Sequence, residues 1–128
     1  MANPDEKRQY PRLVLGVEDG FFGNFVLADD SSLMASIVNI SAGGVNFSAP
    51  SKVRVQINKG DVLLLKNIAG ATRLAFLEDI KSEIRWIEEQ GDSGAIAVGC
   101  MFLGLSEQVL NQMIRFVDAE RMVRGQYN

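Results

Sequence analysis

From Leu13 to Leu103 the sequence is a series of short apolar runs, each stopped by a cluster of Gly, Asn, Asp or Ser. Runs of that length with such punctuation read as strands joined by tight turns. Leu13, Leu15 and Val17 alternate ahead of turn signals at Asp19-Gly20 and Gly23-Asn24. Phe25-Val26-Leu27 follows and is closed by Asp29-Asp30-Ser31-Ser32. Leu33 to Ile40 is rich in apolar and β-branched residues and runs into Asn39-Ile40-Ser41-Ala42-Gly43-Gly44. Val45 and Phe47 alternate up to Pro50, and Val53, Val55 and Ile57 alternate again. After the turn Asn58-Lys59-Gly60-Asp61, the run Val62-Leu63-Leu64-Leu65 has the composition of a strand buried on both faces.

One stretch is ambiguous. Leu77, Ile80, Ile84 and Ile87 fall at helical spacing, whereas Ile84-Arg85-Trp86-Ile87 has strand composition, and periodicity favours a helix over 76–89. Gln90-Gly91-Asp92-Ser93-Gly94 is a turn, followed by a small-residue strand from Ala95 to Leu103. The last element is a helix. Ser106 can cap it, and Leu110, Met113, Ile114 and Val117 form one apolar stripe. Arg121 and Arg124 suit its negative end, and Gly125 suits the position after its cap. Many short strands with one terminal helix predict an all-β domain: a closed or nearly closed antiparallel barrel over 13–128, capped by a helix from about residue 106. Residues 1–12, polar and broken by Pro4 and Pro11, read as a flexible leader.

Composition narrows the function. The 128 residues carry 13 basic and 16 acidic side chains, a net charge of −3. A broad basic face for nucleic acid is therefore not expected. There is no His, which removes Ser-His and Cys-His catalysis and every His-containing metal site. A single cysteine, Cys100, removes internal disulfides and Cys-rich metal centres, and among small and apolar neighbours it reads as core. No apolar run reaches the ~18–20 residues that span a bilayer, and the N-terminus lacks a signal-peptide core. The expectation is a cytoplasmic, single-domain protein with no metal or cofactor, and not an enzyme. Asp29-Asp30 reads as a solvated turn, and Trp86 as a core or barrel-rim aromatic.

Two stretches could carry ligand chemistry. Arg8 and Arg12 stand four apart in the leader, and guanidinium forks bind phosphate bidentately, pair with guanine O6 and N7, and stack on bases. Taken alone, the pair also fits a solvated tail. In Asn39-Ile40-Ser41-Ala42-Gly43-Gly44, Asn and Ser offer short hydrogen-bonding side chains. Gly43 and Gly44 permit positive φ and close backbone approach to a ligand. Alone, this also fits an ordinary strand-to-strand turn.

In this order the two stretches resemble the PilZ family, whose signature is RxxxR followed by [D/N]xSxxG. The matching positions are Arg8 and Arg12, then Asn39, Ser41 and Gly44. Ile84-Arg85-Trp86-Ile87, Val98-Gly99-Cys100-Met101-Phe102 and the helix after Leu105-Ser106 resemble the family's closing strands and helix, so the likeness covers roughly 7–117. The resemblance implies a six-stranded antiparallel β-barrel with a C-terminal α-helix, and it turns 76–89 towards strand. It also implies a bacterial receptor for the second messenger cyclic di-GMP, acting in motility and biofilm signalling. Arg8 and Arg12 would hold phosphate and guanine, Asn39 and Ser41 would hydrogen-bond a guanine, and Gly44, beside Gly43, would leave room for it. Lys7, a cation where the family's stoichiometry is thought to be influenced, leaves one or two ligands per chain open. Ordering of the leader on binding would pass the signal to a downstream protein in trans or to a homodimer. The alternative is a PilZ-like protein-interaction module that binds no nucleotide. A nucleotide-acting enzyme is disfavoured by the missing His and metal cluster, and a single-strand nucleic-acid binder by a pI near 4.9.

Overall fold

Residues 9–126 are described by a computed structural model. Seven strands form one antiparallel sheet: β1 (Leu13–Val14), β2 (Phe22–Val26), β3 (Ser32–Ser41), β4 (Gly44–Pro50), β5 (Val62–Ala69), β6 (Ile80–Glu89) and β7 (Ala95–Phe102). Pairing runs β3-β2-β5-β6-β7-β4, and β4 returns to β3, which closes a six-stranded barrel. Closure leaves no free edge in the barrel itself. The two-residue β1 is the extra strand, laid along β3 with Leu13 opposite Ile40 and Val14 opposite Asn39. Inward side chains on alternate positions, such as Ile37, Phe47, Leu63, Leu65, Ile84 and Val98, fill the interior. Phe25 and Phe47 meet there at 4.7 Å between ring centroids.

The barrel is plugged by α1 (Glu107–Val123), which buries Met113, Phe116 and Val117. Ser106 caps it, its Oγ accepting from the Val109 N–H at 3.2 Å. The far end closes with Gly125 at φ 71°, where Gly125 N–H reaches the Met122 carbonyl and Gln126 N–H the Arg121 carbonyl. This left-handed closure satisfies the last carbonyls and swings the chain back. Gln126 then lands on β1, its amide accepting from Val14 N–H at 2.8 Å and donating to Val14 O at 3.1 Å. Arg124 meets Asp19 at 2.9 Å beside it.

The strand composition at 84–87 prevails over helical periodicity, since 80–89 is β6. Four local expectations fail. Val53, Val55 and Ile57 lie in and just after a 3-10 helix, Ser51–Gln56, because the chain turns after Pro50; Val53 and Ile57 are buried and Val55 is exposed. Gly23-Asn24 is not a turn but part of β2, where the absent Cβ of Gly23 lets Phe25 and Ile37 pack over its backbone. Val62 is exposed while Leu63 and Leu65 are buried, because the outer barrel face is uncovered there. Val17 leaves the strand pattern for a short 3-10 turn, Val17–Asp19, and points to solvent.

Candidate functional site

Two β-bulges decide which side chains reach the outer face. On β3, Ala35 and Ile37 point inward, so strict alternation would bury Asn39. The register with β4 slips between Ile37 and Asn39, leaving Val38 as the extra residue; Ile40 then points inward and Asn39 outward. A bulge re-aims side chains in this way. On β6 the same happens at Arg85: Ser82 and Ile84 point inward, the register slips between Ile84 and Trp86, and Trp86 turns outward.

The result is a row of paired backbone positions across four strands: Asn39 to Asn46, Asn46 to Gly99, Gly99 to Trp86. At about 4.7–4.9 Å per strand the row is roughly 14 Å long. Above it lies a cavity of about 740 Å³, lined among others by Tyr10, Arg12, Ser41, Arg85 and Leu110. That volume falls within the ~300–1,000 Å³ usual for small-molecule sites. Two arginines line it and no acidic side chain among the described residues does, although the chain as a whole is acidic. The cavity can therefore take an anion with planar, hydrogen-bonding parts.

Ser41 accepts the Gly43 N–H on its Oγ at 3.0 Å, which ties the β3–β4 turn and leaves its own hydroxyl proton to donate. Tyr10 packs against the turn, its ring 3.3 Å from where a Gly43 Cβ would stand. The glycines work differently from the expectation. Neither Gly43 nor Gly44 has positive φ, and a Cβ on Gly44 would run into the Cys100 carbonyl oxygen. Gly44 lines the cavity, but the space its missing side chain frees is taken by the β7 backbone. Arg12, Asn39, Ser41, Gly43 and Gly44 are thus brought together, and Arg8 and Lys7 lie outside the described residues.

Asn46 and Arg85 line the cavity without having been read as candidates, and Trp86 turns out to be one of its walls. The indole lies directly over Gly99, where any Cβ would collide with it. A glycine facing the single tryptophan across a strand pair was the one available signal. Arg85 Nη1 has only the Met101 sulfur, at 3.3 Å, as a described partner. A thioether is a weak acceptor. Burial pushes the Cys100 thiol up to about 12, so it stays protonated near neutral pH and is no nucleophile. Among the described residues no cluster of His, Cys, Asp or Glu is placed to hold a metal, and no helix is long and apolar enough to cross a membrane.

The fold and cavity define a small closed antiparallel barrel domain with a plugging helix and an arginine-lined outer cavity. The sequence match specifies which: residues 6–119 match the PilZ domain, and the chain belongs to the PilZ family. The fold agrees. It is similar to the PilZ domain of YcgR from Escherichia coli, whose structure is described as holding c-di-GMP, with TM-score 0.68, 20% identity, and coverage of 94% of this chain and 96% of that one. It is similar to the Klebsiella MrkH–c-di-GMP complex at TM-score 0.67 and 17% identity, covering 94% of this chain and 54% of that one. It is also similar to the Bacillus subtilis inhibitor of motility MotI/DgrA at TM-score 0.67 and 13% identity, covering 92% and 53%. The chain thus spans about half the length of the last two. Among curated sequences there is no significant match.

Proposed function

We propose that this protein is a cyclic di-GMP receptor that holds the dinucleotide in the cavity beside the β3–β4 turn. The observation that carries the reading is convergence: Arg12 from one motif and Asn39 and Ser41 from the other, well separated in sequence, line a single cavity free of acidic side chains among the described residues. The ligand's chemistry suits it. Cyclic di-GMP carries two phosphate charges and two guanines with acceptor-rich Hoogsteen edges, and arginine forks serve both. Arg12, together with Arg8, holds phosphate and guanine; Asn39 and the free hydroxyl proton of Ser41 hydrogen-bond a guanine. Complexes of structurally similar barrels with c-di-GMP add support.

Nothing in this reading requires turnover. The protein acts by binding, and its output is ordering of residues 1–12 over the barrel, starting from the contact Tyr10 makes at Gly43. That ordering creates or hides a surface for a protein in trans or a second copy. Calorimetric titration of cyclic di-GMP, with GMP as control, into wild type and an Arg8→Ala, Arg12→Ala double variant tests the site. Binding by wild type, lost in the variant and absent for GMP, is the expected result; a folded wild type that binds nothing contradicts it. Amide exchange over 8–12 tests the output, and exchange that stays equally fast at saturating ligand removes the ordering step.

A further inference from the structure

The two-residue strand β1 is where the leader joins the barrel. Arg12, a wall of the cavity, directly precedes Leu13, and Val14 pairs with Asn39, so β1 extends the row by one position on the leader's side. Its only strand neighbour among the described residues is β3. Leu13 and Leu15 are buried and hold its inner face, but its outer edge has no strand beside it there. A side chain closes that edge instead. The Gln126 amide accepts from the Val14 N–H at 2.8 Å and donates to the Val14 carbonyl at 3.1 Å. These are the two bonds that a neighbouring antiparallel strand would exchange with one residue. Gln126 is itself fixed, since its backbone N–H reaches the Arg121 carbonyl at 2.7 Å across the left-handed Gly125. Two residues earlier, Arg124 meets one carboxylate oxygen of Asp19, and the other accepts from the Gly16 N–H at 2.8 Å. The end of α1 thus holds the backbone of the β1 segment at two points.

We propose that Gln126 is a positioning residue for ligand binding: standing in for a strand on the outer edge of β1, its amide keeps β1 docked and so holds Arg12 at the cavity before the ligand arrives. This rests on the receptor reading above. Arg12 stands one peptide bond from β1, so its backbone is placed only as well as β1 is seated. If β1 is docked in only a fraction of molecules, the apparent dissociation constant rises by the inverse of that fraction, although no ligand contact has changed. The coupling runs both ways: a partner that draws the tail off β1 weakens the ligand, and bound ligand holds the tail down. The tie from Arg124 through Asp19 reaches the backbone only at Gly16, further from Arg12. Gln126 is therefore the contact at this end of the helix that binding should report.

The test is a double-variant cycle, in which cyclic di-GMP is titrated calorimetrically into wild type, Gln126→Ala, Arg12→Ala and the variant carrying both. Gln126→Ala is expected to weaken binding about three- to tenfold, the effect of docking β1 in roughly a third to a tenth of molecules. In the Arg12→Ala background the same change should weaken binding less than about twofold, because the side chain it positions is gone. A merely structural Gln126 would move the melting temperature and leave affinity alone. Unchanged affinity in Gln126→Ala, or an equal loss in both backgrounds, overturns the proposal and leaves the receptor reading intact. A wild type that binds nothing overturns both. Should a variant fail to fold or bind too weakly to measure, exchange of the Val14 amide proton in wild type decides the matter: slowing at saturating cyclic di-GMP supports the coupling, and unchanged exchange contradicts it.

Discussion

At the C-terminal end of α1, Arg124 meets Asp19 at 2.9 Å and Glu120 at 3.3 Å, and Arg73 meets Glu120 at 2.6 Å while stacking over Phe116 at 5.0 Å. In the cavity near the other end of that helix, Arg85 meets only a thioether among the described residues, and Asn46 makes no side-chain hydrogen bond to any of them. The first region spends its polar groups on holding the helix and β1 to the barrel. The second leaves Arg85 and Asn46 with little or no such pairing among the described residues. Polar pairing is dense where the fold is fastened, with the buried Arg121 Nε as its exception among the described residues, and sparse around the cavity. The two regions should therefore answer differently to substitution, the fastening end in stability and the cavity end in binding.

The largest effect belongs to the fastening end. Phe116→Ala removes a buried ring and the platform under Arg73, and should destabilise by about 3–5 kcal/mol in denaturant unfolding. If the variant still folds, its cyclic di-GMP affinity should stay within a few-fold of wild type, since the ring is not part of the cavity. Next comes Arg12→Ala, expected to weaken cyclic di-GMP by about tenfold or more through loss of charge-assisted hydrogen bonds of roughly 1.5–3 kcal/mol. A drop in melting temperature with unchanged affinity would move Arg12 to the fastening class and break the contrast. Arg85→Met should cost binding several-fold yet leave the melting curve nearly unmoved, because an exposed guanidinium on a sulfur contributes little to stability.

The smallest effect is a pH dependence. The Arg124 hydrogen bond, followed by the Gly16 N–H, holds the Asp19 carboxyl below its ordinary 3.8. A depressed native value means the unfolded chain takes up the proton first. Asp19 therefore contributes stability above its unfolded value and loses it as pH falls through and below 3.8. The pair is worth at most about 1 kcal/mol, since it stands near solvent. Melting temperatures of wild type and Asp19→Asn should differ at neutral pH and converge as the solution is acidified below that value. A gap that persists into strong acid would show that Asp19 acts through something other than its charge.

How far the sequence could be read follows the same division. The barrel is legible because alternation and turn chemistry are local: Asp30, at φ 70°, and Gly60, at φ 95°, sit in turns marked by their own residues. Likewise Ser106 and Gly125 mark the ends of the helix from within its own sequence. The Arg12 and Asn39–Ser41 halves of the site are legible only as a motif, by resemblance. Asn46, Arg85 and Trp86 are not legible either way. Asn46 comes from a strand that alternation describes well, while Arg85 and Trp86 come from one whose periodicity points to a helix, and their meeting depends on register and on bulges at Val38 and Arg85 that invert the parity. Gly44 shows the converse: its motif position was legible, while the β7 carbonyl that requires a glycine there was visible only in three dimensions.

Trp86 is the single tryptophan of the chain and a wall of the cavity, so its fluorescence reports on that site alone. Titrating cyclic di-GMP against this emission, in wild type and in Arg12→Ala, tests the central claim most directly. The account predicts a saturable change in wild type, absent with GMP and shifted to at least about tenfold higher ligand in the variant. Calorimetric binding without any change at Trp86 would put the ligand elsewhere on the barrel and contradict it.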